Sequence, residues 1–216
     1  MMISEEEYLS RLRKAAVALG EMRARLEALE VEKAEPIAII GIGCRYPGGA
    51  ASPDEFFRLL ESGTDAITEV PADRQSARPL RWMADELDEL GARWGAFLKD
   101  IDLFEPDFFD ISPREAVAMD PQQRLLLEVA WEALEHAGIV PGKLMGSDTG
   151  VFVGVLHEDY RDLCATTDPG SQDIYEFTGN GHSFPPARLS YTLGLEGPSV
   201  SLDTACSSSL VAVHLA

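Results

Sequence analysis

Asp203-Thr204-Ala205-Cys206-Ser207-Ser208-Ser209 marks the point at which the chain changes period. Before it, Pro198-Ser199-Val200-Ser201-Leu202 alternates as a short buried strand does; after it, Leu210, Val211, Val213 and Leu215 fall at helical spacings in an apolar run. Cys206 therefore stands where a strand hands over to a helix, with serines placed to cap that helix. At such a position free backbone N–H groups and the positive helix end favour thiolate over thiol, which makes a cysteine sulfur nucleophilic near neutral pH. A lone cysteine is also a common small core residue, and the turn by itself leaves both readings open.

Working outward, Thr149 to Val155 reads as a second buried strand, and Ile37 to Gly43 as a continuous apolar strand closed by glycines. A dinucleotide fold begins in the same way, but G-x-G-x-x-G requires glycine at Tyr46, and Pro47 follows, so the phosphate-binding turn fails. Ser52-Pro53 opens a helix whose buried face is Phe56, Phe57, Leu59 and Leu60. Asp120-Pro121 opens another that runs to about His136, with Leu125, Leu126, Val129, Ala130, Ala133 and Leu134 inward and Gly138 at its end. His136 there reads as a favourable helix-end charge. Pro185-Pro186 start a helix through Leu195, ending at Gly194 to Gly197. The nearby Gly181-His182-Ser183-Phe184-Pro185 is no serine-hydrolase elbow, because Pro185 stands where G-x-S-x-G needs glycine. Asp65 to Trp94 reads as a surface insertion with one short acidic helix around Trp82 to Leu90, Phe97 to Phe109 as an aromatic-anchored loop, and His157 to Thr178 as a polar, mobile loop.

Composition bounds the class. The 216 residues are 45% hydrophobic, enough for one ordinary domain plus an extension. Cys44, Cys164 and Cys206 are an odd number at wide spacings, with neither a zinc pair nor a disulfide framework, which suits a reducing cytoplasm and no bound metal. No stretch has the length of a membrane span or the apolar core of a signal peptide. A net charge of -19 repels nucleic acid and anionic membranes, so an acidic partner needs a local basic patch.

At the N-terminus Tyr8, Leu12, Ala15, Leu19, Met22, Leu26 and Leu29 step by four and three alternately, the a/d seam of a coiled coil. With Leu12, Leu19 and Leu26 at a, Arg25 is a g and Glu30 the next e, a pair that meets across a parallel dimer. An amphipathic helix lying on its own domain is the other reading. Glu30 to Glu35, ended by Pro36, reads as a linker, which divides the chain into residues 1–35 and 36–216.

Six blocks carry a resemblance: Glu35 to Gly49 (EPIAIIGIGCRYPGG), Phe108 to Glu115 (FFDISPRE), Met119 to Glu128 (MDPQQRLLLE), Thr178 to Asn180 (TGN), Arg188 to Tyr191 (RLSY) and Gly197-Pro198. With the Cys206 run, their order resembles the first half of the β-ketoacyl synthase (ketosynthase) domain of a modular type I polyketide synthase, and residues 1–35 resemble the docking helices that join successive synthase subunits. The resemblance implies a thiolase-like α/β fold, five-layered in full, of which this chain would supply part of the N-terminal half. Three of that half's five sheet strands would be present, leaving an open strand edge and an uncovered Cys206 helix.

The resemblance also implies that Cys206 receives an acyl chain from the phosphopantetheine arm of an acyl carrier protein, that no cofactor binds directly, that the domain is a homodimer, and that residues 1–35 meet an upstream subunit. Asn180 and Arg188 lie in matching motifs with no role legible in the sequence. Decarboxylation in the family is supported by a His-Gly-Thr-Gly-Thr and an Asn-x-Gly-His motif; neither occurs here, and His136, His157, His182 and His214 match neither. His214, on the apolar helix, reads as a packed core residue. The expectation is an N-terminal piece of a larger synthase, inactive in condensation alone; the rival reading is a non-catalytic dimeric docking module.

Overall fold

A computed structural model of the protein describes residues 5–34, 36–72, 74, 94–167 and 174–216. The chain forms two compact units, one ending at Ile39 and the other running Ile40–Ala216. Helix α1 (Glu5–Ala34) is the body of the first. Its expected seam faces solvent along the single chain, with Leu12, Leu19 and Leu26 at 49%, 56% and 58% exposure. Among the described residues, no helix is long and apolar enough to cross a membrane.

In the second unit, the local signals at helix starts set the elements. Ser52 caps α2 (Pro53–Glu61): its Oγ accepts from the Glu55 N–H at 3.3 Å, while the Glu55 carboxylate returns to the Ala51 N–H at 3.0 Å. Those bonds favour the charged form, so the Glu55 carboxyl sits below its ordinary range, the Ala51 bond contributing most. The buried face of α2 is narrower than the sequence suggests. Phe56 stacks on Tyr46 at 4.1 Å and Leu59 is half-buried, but Phe57 and Leu60 are exposed.

The Trp82 to Leu90 helix lies outside the described residues. The chain on either side closes as an antiparallel pair, β1 (Ile67–Glu69) and β2 (Trp94–Ala96), with Ile67 opposite Ala96. The aromatic loop is anchored as expected: Phe104 stacks on Phe109, and Phe108 meets Trp131 edge-on at 4.8 Å. Next come α3 (Pro113–Ala118), capped by Ser112, and α4 (Pro121–His136), capped by Asp120. The buried positions of α4 are Gln123 and Leu127. The expected inward residues are half-buried, and Leu126 and Ala130 among them pack against the core cluster.

Strand β3 (Val151–Gly154) and, near the end of the chain, β4 (Ser199–Leu202) pair in parallel, Val151 opposite Ser199 and Gly154 opposite Leu202. Between them the expected loop carries two helices, α5 (Asp159–Thr167) and α6 (Ile174–Asn180), and the expected helix follows as α7 (Phe184–Leu193). The last of these ends at Gly194 in a left-handed cap, within the Gly194 to Gly197 stretch at which it was expected to stop. Helix α8 (Ser208–Leu215) follows the Cys206 turn. Side chains alternate across a strand. Val151 and Val153 accordingly join Leu189, Leu127, Met119 and Phe109 in the core, while Gly154 on the other face lies against Ser208 of α8.

The expected first strand does not form. Ile37 to Gly43 has no ladder partner among the described residues, and Ile37, Ile39 and Ile40 are exposed. Its two glycines serve contact with α4 instead: a Cβ at Gly41 or Gly43 would run into the carbonyls of Ala133 and Val129. Two further bonds fasten the segment. The Ile42 N–H donates to His136 Nδ1 at 3.1 Å, and Arg45 forks onto Glu132, one limb at 2.6 Å. His136, in the last turn of α4, thus fastens this backbone through Nδ1.

The polar motifs interlock at the core. Arg188 on α7 donates from Nη1 to Glu115 on α3 at 2.6 Å and from Nε to Gln123 on α4 at 3.0 Å. Gln123 Nε2 in turn donates to the Gly179 carbonyl at 2.7 Å, and the Asp120 N–H reaches the same carbonyl at 2.9 Å. Asn180 closes the ring by donating to the carbonyls of Ala118 and Glu176. Burial pushes the Asp120 carboxyl above its usual range, opposed by the Gln122 N–H it caps. Arg188 and Asn180 therefore have structural roles, joining four helices. Removing one partner of such a pair strands the other in a poorly solvated site, at a cost of about 3–5 kcal/mol. Arg188→Ala is expected to lower the urea midpoint by that equivalent, whereas Arg11→Ala, which removes an exposed pair with Glu7, should cost less than ~0.5 kcal/mol.

Candidate active site around Cys206

The turn between β4 and α8 is built from its own side chains. Asp203 Oδ1 accepts from the Ala205 N–H at 3.0 Å. Ser207 Oγ lies 2.8 Å from the Thr204 carbonyl and 2.9 Å from Thr204 Oγ1. Ser208 Oγ accepts from the Thr204 N–H at 2.9 Å and donates to the Ala205 carbonyl at 2.8 Å. The serines thus brace the turn instead of capping the helix: Ser207 occupies the N-cap position of α8 without a side-chain cap bond. Ala205 has φ 54, a left-handed backbone at a residue with a Cβ. That conformation costs on the order of 1–3 kcal/mol and persists only where its surroundings over-determine it.

Cys206 follows this kink directly and is exposed. It lies beyond the carboxyl end of a parallel strand pair and just before a helix N-terminus. Open α/β sheets take their ligands at such ends. The other two thiols differ. Cys44 is buried and Cys164 half-buried, and burial pushes both above the ordinary thiol range. For Cys164 a hydrogen bond with Tyr160 opposes that rise, while Glu176 and Asp120 add to it.

None of the four histidines hydrogen-bonds to Cys206 among the described residues. His157 and His214 are exposed, the latter against expectation. Only the Ser208–Ala212 stripe of α8 is buried, and Leu210, Val213 and Leu215 also face solvent, as expected of an uncovered Cys206 helix. His182 has its Nε2 3.4 Å from Glu158 Oε1, and its carbonyl accepts from Ser201 of β4. A cavity of about 600 Å³, bounded by Arg45, Tyr46, Leu98, Phe104, Leu125 and Glu128, contains no residue of the Cys206 turn.

Residues 34–216 match the β-ketoacyl synthase N-terminal domain. The chain belongs to the β-ketoacyl synthase family. It is similar over 99% of its length, at 50% identity, to the pikromycin polyketide synthase component PikAII of Streptomyces venezuelae, of which it covers 6%. It is 55% identical over 182 residues, 84% of its length, to the spectinabilin polyketide synthase system protein NorA' of Streptomyces orinoci, covering 5% of that protein. Among solved structures, the ketosynthase from module 6 of the bacillaene synthase from Bacillus subtilis 168 superposes with a TM-score of 0.66 at 34% identity, over 82% of this chain and 28% of that one. The oxazolomycin ketosynthase domain OzmH KS7 of Streptomyces albus gives a TM-score of 0.69 at 34% identity, over 84% and 32%. The fold is accordingly the thiolase-like α/β arrangement, of which these β-ketoacyl synthase residues make up the N-terminal part.

The three thiols should separate in reactivity. A thiol raised above its ordinary pKa of about 8.5 stays protonated over a wider range, so its thiolate fraction at pH 8 falls. Iodoacetamide at pH 8 is expected to label Cys206 first, with Cys44 and Cys164 following only at higher pH or on unfolding. Peptide mass spectrometry reads the order, and labelling of Cys44 as fast as Cys206 would count against it.

Proposed function

We propose that Cys206 is the acyl acceptor of a polyketide synthase ketosynthase, an acyltransferase that carries out decarboxylative Claisen condensation with a malonyl-type extender. The observation that carries this is the single exposed thiol among the three, set beyond the kink at Ala205 and at the carboxyl end of the β3–β4 pair. The Cys206 thiolate attacks the thioester carbonyl of an acyl chain borne on the phosphopantetheine arm of an acyl carrier protein. A new C–S bond forms, the carrier's C–S bond breaks, and the released phosphopantetheine thiolate takes up a proton. In the second half-reaction the extender loses carbon dioxide, its α-carbon attacks the Cys206 thioester, and the cysteine leaves as thiolate. The family's two histidine motifs, which support that loss, are not among these 216 residues.

Incubating the full-length protein with an acyl thioester and mapping the adduct tests this assignment. One acyl group on Cys206 is expected, and none in Cys206→Ala; acylation that persists in the variant would sink it.

For the first unit we propose a parallel coiled-coil homodimer through α1 that receives the C-terminal tail of an upstream synthase subunit. Support comes from an unbroken helix whose Tyr8, Leu12, Leu19, Met22 and Leu26 side chains lie open to solvent. A charge at a core a position should abolish association. In sedimentation, a peptide of residues 1–35 is expected to dimerise and its Leu19→Asp form to stay monomeric; a monomeric parent at high micromolar concentration would refute the dimer.

A further inference from the structure

We propose that Ser208 is a positioning residue for Cys206, transmitting the placement of strand β3 to the thiol; this rests on the reading of Cys206 as acyl acceptor. Within Asp203 to Ser209, Ser208 alone is buried, at 7% exposure. Its hydroxyl reaches back past the cysteine to the two residues before it, accepting from the Thr204 N–H and donating to the Ala205 carbonyl. A serine has one hydroxyl proton, and here the Ala205 carbonyl takes it, so Ser208 has none to give to the sulfur or its substrate. Its influence on Cys206 runs through the backbone.

The far side of Ser208 is fixed by the sheet. Gly154, the last residue of β3, lies so close that an added Cβ would stand 2.8 Å from the Ser208 Cβ and 3.3 Å from the Ser209 nitrogen. Glycine here permits the approach, and the approach leaves Ser208 no room to move toward β3. A continuous chain of contacts therefore runs from β3 through Ser208 to Thr204 and Ala205, and Ala205 is the left-handed residue that aims Cys206. Reacting groups must be held within a fraction of an ångström, and a shift of about 1 Å can cost 10²-fold in rate. The buried Ser208 hydroxyl contributes to that tolerance through the backbone of Thr204 and Ala205.

The test separates positioning from mere stability in the full-length protein. Acyl transfer from an acyl N-acetylcysteamine thioester demands an aligned thiol, whereas alkylation by iodoacetamide needs only an accessible one. Ser208→Ala is expected to slow acylation of Cys206 by about 10–100-fold while leaving its alkylation rate nearly unchanged. Adding Ala205→Gly, which removes the Cβ from the left-handed position, should bring the melting temperature back without restoring acylation. Gly154→Ala retains the hydroxyl but displaces it, and is expected to lower acylation in the same selective way, which keeps the test open if Ser208→Ala folds poorly. Acylation unchanged in Ser208→Ala, or recovering in step with melting when Ala205→Gly is added, would overturn the proposal and leave the acceptor reading standing. No acylation of Cys206 in the unaltered protein would overturn both together.

Discussion

The ion pair between Arg188 and Glu115, with Gln123 as the second acceptor of the same guanidinium, is the constraint on which the second unit depends. Arginine suits this place because its planar fork can satisfy two acceptors in fixed geometry. Helices α3, α4 and α7 are each tied to it, and α6 is tied through the Gly179 carbonyl. Helix α7 then carries Leu189 into the apolar cluster beneath Val151 and Val153, so the clasp also sets where the β3–β4 pair lies. Hydrophobic burial supplies most of the stabilisation in such a core but is non-directional. The clasp supplies direction.

From the strand pair the order passes to the turn. Burial stops at Ser208, and Cys206, two residues earlier, is open. Within these residues it is hydrogen bonds that shape the turn around the cysteine. Asp203, Ser207 and Ser208 direct theirs into the backbone of Thr204 and Ala205. Such local bonding is the ordinary reason that serine and aspartate favour turns over helix interiors. In this chain it stabilises a backbone angle that alanine would otherwise avoid.

What the sequence made legible was local. Ser52-Pro53, Asp120-Pro121 and Gly138 place the ends of two helices because caps act within one turn, and the period change at Asp203 places Cys206 for the same reason. The larger misreadings needed a distant partner. Ile37 to Gly43 has the composition of a strand, but a strand exists only beside another, and its glycines lie against α4. His157 to Thr178 carries no apolar period, and α6 gains its helical order through packing on α3 and through Asn180 and Gly179. Arg188 could have been read as a structural cation from its place in a helix with apolar neighbours, but its carboxylate partner is 73 residues away. The serines after Cys206 were legible as hydroxyls near a helix start; which backbone groups they choose depends on the sheet beneath them.

Selection among the three thiols follows from the same architecture. Each is chemically a cysteine, and motif spacing alone does not rank them. Cys44 immediately precedes Arg45 of the Arg45–Glu132 fork, and two carboxylates, Glu132 and Glu55, reinforce the effect of burial while Arg45 opposes it. Cys164 lies on α5 with Glu176 and Asp120 as acidic neighbours. An acidic, poorly solvated setting holds a thiol in its protonated, unreactive form. The large excess of acidic residues, 37 against 18 basic, makes such settings common in this chain. Ser207, Ser208 and Ser209, which follow Cys206, are neutral, and they place no carboxylate between the thiol and the helix N-terminus. A run of small neutral hydroxyl residues therefore does two things there: it leaves the positive end of α8 unopposed by acidic side chains in its first turn, and it provides the bonds that shape the turn.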